Sequence, residues 1–157
     1  MRIEAVAQLF FCCLLALPVT QIASAQPKTS VGCIVTITGP KMTDTVAASV
    51  VAEGTAKLPQ DAYLWILAHV NGLGVWWPQG GGPATVRDAR WNVSVVLGTS
   101  ADSGRDFEII AIVVDRQTHA LLMRWVKDAE SRGVYNGILL PSFIPTCSPA
   151  RVVVLRK

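Results

Sequence analysis

The sequence is short of charge and of the groups that carry most enzyme chemistry. Only 16% of its 157 residues are Asp, Glu, Lys or Arg, and there are 2 histidines. Lys plus Arg number 14 against 11 Asp plus Glu, a net charge of +3. These charges stand singly, with no basic run to follow a phosphate backbone, so no nucleic-acid partner is expected. His-Glu-x-x-His, Cys-x-x-Cys and Gly-x-Ser-x-Gly are all missing, which removes the local signatures of zinc hydrolysis, dithiol exchange and a nucleophile elbow. Gly80-Gly81-Gly82 has no Lys-Ser/Thr after it and follows Pro78-Gln79 rather than opening a helix. It reads as a connection and not a phosphate cradle. Internal repeats and low-complexity tracts are also lacking. No cofactor is expected.

What is present begins with a leader. Arg2 supplies a positive start, an apolar stretch runs roughly from Ala5 to Leu17, Pro18 breaks it, and Ala23-Ser24-Ala25 is a small-residue cleavage site. Residues 1–25 are therefore expected to be a signal peptide, too short in its apolar part for a membrane span, and the mature chain is expected to start near Gln26. Cys12 and Cys13 fall inside the leader. Cys33 and Cys147 survive it, and an even pair in an exported chain implies a disulfide. Such a closure takes in nearly the whole mature chain and stabilises it by roughly 4–5 kcal/mol in the chain-entropy account. A reactive thiol or half a metal site has no second Cys or His nearby to support it.

The mature chain reads as strands. Cys33–Ile37 is a first strand. Thr45–Ala56 is a second, with Val46, Ala48, Val50 and Ala52 alternating on one face. Tyr63–Val70 and Val75–Gln79, joined by Asn71-Gly72-Leu73-Gly74, form an expected hairpin. Ala84–Val86 is a brief edge strand. Arg90–Leu97 alternates most cleanly, with Trp91, Val93, Val95 and Leu97 inward. Phe107–Val114, like Tyr63–Val70, is apolar on both faces, which demands cover on both sides. Beyond Asp115 the period changes: Leu121, Leu122, Trp125, Val126 and Ala129 recur at helical spacing. Asp115 is placed to cap this helix and Gly133 to stop it. The helix is expected to dock on the second apolar face, Ile110, Ile112 and Val114; a dimer or partner would be the alternative. A proline-rich return from Leu139 to Pro149 and a last strand at Val152–Leu155 close the chain.

The order of Tyr63-Leu64-Trp65-Ile66-Leu67, Trp76-Trp77-Pro78-Gln79, Arg90-Trp91-Asn92-Val93-Ser94 and Gly104-Arg105-Asp106-Phe107-Glu108 resembles the bacterial immunoglobulin-like (fibronectin type III-like) modules of exported proteins. The resemblance covers roughly residues 31 to 157. It implies an all-β, immunoglobulin-like antiparallel β-sandwich, here of about seven strands with one amphipathic helix before the last. Such modules are commonly accessory parts without activity of their own, so it transfers no catalytic residues. This chain departs from the usual setting in carrying one such module directly behind a leader.

The candidate binding residues are Tyr63, Trp76, Trp77 and Gln79. Neighbours on a strand face opposite ways, so one of the two tryptophans should be free to stack on a sugar ring or anchor a protein. Cover by the helix or a loop is the competing account. His69 and His119 are the only general-base candidates, and nothing in the sequence brings them together. Asp102 and Asp106 lie in a loop that lacks the oxygen density of a calcium site. Asn92-Val93-Ser94 is a glycosylation sequon that matters only on a eukaryotic route, and a bacterial one is assumed. The expectation is a non-catalytic periplasmic or extracellular binding module for a protein or glycan, monomeric or weakly dimeric, with no membrane association after leader cleavage. A small secreted hydrolase using His69 or His119, or a structural envelope component, are the rival classes.

Overall fold

The computed structural model describes residues 32–140 and 146–157. The expected leader, most of the lead-in before Cys33 and the stretch 141–145 of the proline-rich return lie outside them. In chain order the elements are β1 (Ile34–Gly39), β2 (Thr45–Val46), β3 (Ser49–Lys57), β4 (Tyr63–Val70), β5 (Trp77–Pro78), β6 (Arg90–Val96), β7 (Asp106–Val114), α1 (Arg116–Arg132) and β8 (Ala150–Arg156). One sheet has the order β1-β3-β6 and the other β2-β8-β7-β4-β5.

The two strands with apolar residues on both faces sit where that pattern is needed. β4 and β7 pair along their whole length, from Tyr63 opposite Val114 to Val70 opposite Phe107. Their faces then part. Leu64, Ile66 and Ala68 with Ile109, Ala111 and Val113 turn toward the other sheet and bury against Ala52, Trp91 and Val95. Trp65, Leu67, Ile110 and Ile112 turn the opposite way and bury under Leu122 and Val126 of α1. Each such large side chain stabilises the packing by about 1.5–3 kcal/mol. The chain is thus mostly β, two face-to-face sheets with one helix covering the outer face of the larger, as the patterning predicts.

The helix boundaries follow from their caps. Asp115 accepts the Thr118 amide at 2.8 Å, which holds its carboxyl below the ordinary carboxylate range, chiefly through that backbone hydrogen bond. Gly133 ends the helix in the left-handed region at φ 63°. The Cys33–Cys147 disulfide joins the lead-ins of β1 and β8, one from each sheet, with Cα atoms 5.6 Å apart.

Four expectations need correction. The single strand expected over Thr45–Ala56 is split: Thr45–Val46 pairs with β8 in one sheet, Ser49–Lys57 with β1 and β6 in the other. The β2–β8 pairing is parallel, so the sheets are not wholly antiparallel, and the strands among the described residues number eight. Ala84–Val86 is not a strand; it is carried between the sheets, touching the ladder where the Ala84 amide donates to the Leu64 carbonyl at 2.7 Å. The second arm of the hairpin shrinks to Trp77–Pro78 because Trp76 turns its backbone away from β4 to exchange hydrogen bonds with Ile138 at 2.7 and 2.8 Å.

Candidate binding groove

Trp76 and Trp77 face opposite ways about that same pairing. Trp76 is 7% exposed on the helix-covered face, stacked on His69 with ring centroids 3.7 Å apart. Trp77 points the other way and is half-buried. The Ile138 bridge draws the segment after α1 alongside Trp77. Its indole N–H then donates to the Tyr135 carbonyl at 3.0 Å. Trp125, from the flank of α1, likewise donates to the Asn136 carbonyl at 3.0 Å and meets Tyr135 edge-on at 6.3 Å. Both indoles are anchored through their polar atoms, which leaves ring surface for contact.

These rings stand at the rim of a groove of about 730 Å³. Ala68, Val70 and Phe107 lie at its base, Ser94 and Val96 of β6 form the far wall, and Glu130 and Arg105 add charge. Tyr135 is 56% exposed and Val96 58%, so apolar surface lies open to water here, as binding clefts require. The groove exists because it lies where β6, the edge of one sheet, faces β5, the edge of the other.

Gln79 closes the floor between those edges. Its Oε1 accepts the Val96 amide at 2.9 Å while its Nε2 donates to the Trp77 carbonyl at 2.9 Å. At 8% exposure its amide is occupied by the protein itself. Gly80 follows with φ +74°, and a Cβ there would come within 2.8 Å of Val93 Cγ1; only glycine lets the chain turn so close to β6.

Tyr63 is not brought to the groove. Paired with Val114 at the far end of β4, it lies five residues, roughly 17 Å, from Ala68, the partner of Trp77. There it stacks flat on His119 at 3.8 Å. Trp65 donates its indole N–H to His119 Nδ1 at 3.3 Å, and burial pushes the His119 pKa down. His69 sits toward the opposite end of β4. Its Nδ1 lies 2.6 Å from the Leu73 carbonyl and its Nε2 3.0 Å from Glu108 Oε2, while Arg151 holds the other Glu108 oxygen at 2.7 Å. Both His69 nitrogens thus face oxygen atoms of the protein itself. The two histidines are therefore separately engaged and do not meet.

In the polar loop, Asp102 Oδ2 accepts the Thr99 amide at 2.8 Å and Oδ1 pairs with Arg105 at 3.1 Å. The Thr99 hydrogen bonds, foremost the backbone one, hold the Asp102 carboxyl below its ordinary range. Among the described residues, no group of three or more His, Cys, Asp or Glu gathers to hold a metal, and no helix is long and apolar enough to cross a membrane. Trp125 and Tyr135 are the groove residues that sequence reasoning missed. Trp125 is indistinguishable from core in a helical stripe, and the one signal for Tyr135 is an aromatic standing just past the Gly133 stop. No protein-family model matches the chain, and a search of curated proteins finds no match.

Proposed function

We propose that the mature chain is an exported, non-catalytic, immunoglobulin-like binding module that recognises a protein or glycan through the Trp77–Trp125–Tyr135 groove. The observation that carries this reading is the pinning of both indoles to backbone carbonyls beside a largely exposed tyrosine. Such rings offer contact surface with little rotamer freedom left to lose, the property that makes tryptophan and tyrosine effective anchors. The face-to-face sheets with Trp91 buried between them support the immunoglobulin-like part of the proposal, and the disulfide supports an oxidising compartment, periplasmic or extracellular. The engagement of His69 and His119 by separate partners at separate ends of β4 supports a non-catalytic role over the hydrolase alternative.

The test is capture. Immobilised wild-type protein is expected to retain a protein from native envelope extract or a sugar on a glycan array, and Trp77→Ala and Tyr135→Ala to lose it. Capture undiminished by both substitutions would refute the groove as the binding surface.

A further inference from the structure

We propose that the partner is taken up as an added strand: an extended peptide with acidic side chains pairs along the open edge of β6 and lays an apolar side chain in the aromatic groove. This rests on the groove reading above and narrows its ligand to polypeptide.

The register decides which way the β6 backbone points. The Leu97 amide donates to Ala48 and the Ala56 amide to Ala89, in the register that sets Val95 opposite Val50, Val93 opposite Ala52 and Trp91 opposite Gly54. Since backbone groups alternate sides along a strand, residues 91, 93 and 95 bond to β3, and residues 90, 92, 94 and 96 face outward. The two ends of that outward row are occupied. Arg90 exchanges hydrogen bonds with Arg87 at 2.8 and 2.9 Å, and the Val96 amide is held by Gln79. Between them, Asn92 and Ser94 present amide and carbonyl with no protein partner among the described residues. Unpaired groups on a strand edge are a template for another strand.

The space beside them is open. A cleft of about 580 Å³ lies against Asn92 and Ser94, with Pro83, Ala84 and Thr85 on its far side. It shares Gly80 and Ser94 with the aromatic groove, so the two adjoin along β6. The neighbouring chain does not fill it: Pro83 has no amide to give and Ala84 spends its own on Leu64.

Charge and spacing select the occupant. Arg87 and Arg90 line the cleft end and, among the described residues, no carboxylate does, which favours acidic side chains there. The apolar rings lie at the other end. A peptide offers amide and carbonyl at the two-residue repeat of about 6.7 Å that Asn92 and Ser94 require, whereas sugar hydroxyls have no such repeat.

The experiment pans a displayed library of random short peptides over the immobilised mature protein. Enriched peptides are expected to combine acidic and apolar residues. Their affinity should fall on the order of tenfold or more, the worth of one to two backbone hydrogen bonds, on Ser94→Pro and on N-methylation of the peptide. Ser94→Pro removes an outward amide, as edge strands tolerate, and the hydroxyl that meets the Ser49 hydroxyl at 3.4 Å, so a nearly unchanged melting point confirms an intact ladder. Enriched peptides that bind Ser94→Pro equally well would overturn the proposal, as would the absence of enrichment. Sugar capture lost in Trp77→Ala, without peptide enrichment, would overturn strand addition and leave the groove reading standing. Peptide binding sensitive to Ser94→Pro but not to Trp77→Ala would sustain strand addition and refute the groove. Self-association abolished by Ser94→Pro would make a second copy the occupant and overturn the peptide.

Discussion

The Gln79 side chain accepts the Val96 amide at 2.9 Å and so ties the open edge of one sheet to the open edge of the other. One amide spans the floor of the groove. Replacing Gln79 by Ala removes this tie and the Trp77 carbonyl's partner, and should cost about 1–3 kcal/mol in urea denaturation, the range for breaking hydrogen bonds of a buried polar group. Tyr135→Ala, at a largely exposed site, should stay within about 0.5 kcal/mol of wild type. The contrast separates what builds the groove from what lines it.

Gly54 lies under Trp91. A Cβ there would approach Trp91 Cζ2 to 2.7 Å and collide with the Thr36 carbonyl, and neither backbone nor a fully packed indole can yield easily. Gly54→Ala should therefore destabilise by about 1–3 kcal/mol, the usual cost of overpacking, with a matching drop in melting temperature.

The opposite sign is expected at Ala89. Arg87 and Arg90 pair across a two-residue turn in which Asp88 (φ 49°) and Ala89 (φ 60°) are both left-handed, the backbone that favours glycine in the second position. Ala89→Gly should raise stability by about 1 kcal/mol, measurable as a higher melting temperature.

His119 gives the fold a pH dependence whose sign can be worked out. Its pKa is lowered by burial, and Trp65 and Tyr63 pack on its ring. The unfolded chain therefore binds a proton more readily than the folded one below the ordinary value of 6.5. Stability from this residue is present above that value and is lost as pH falls from it toward the lowered folded pKa. His119→Phe keeps a ring against Tyr63 but cannot titrate. Unfolding curves of wild type and variant should diverge as pH falls below 6.5, the wild type losing more; parallel curves would contradict the assignment.

Much of this architecture is legible in the sequence for physical reasons. Strands covered on both sides cannot hide their apolar faces, so β4, β7 and the need for a covering helix show directly, and Asp115 and Gly133 mark that helix because its end groups need those residue types. The switch of sheets between Val46 and Ser49 is invisible, since Val46, Ala48, Val50 and Ala52 keep period two across it. The groove is legible only in part. Trp77 is marked by its paired neighbour, but Trp125 reaches it through the docking of α1 and Tyr135 through the Trp76–Ile138 bridge, contacts between segments distant in the chain. Gln79 reads from sequence as a ligand-binding polar group, and the packed structure turns its amide to the protein's own backbone.

The claim that the aromatic groove is the surface that meets the ligand is tested most directly by site-specific photocrosslinking in cells. A photoreactive aromatic residue placed at position 135 should form a discrete adduct on irradiation, and one at Ile34, equally open to solvent at 57% exposure on the opposite edge of the smaller sheet, should form none. Adducts at position 34 with none at position 135 would contradict the account.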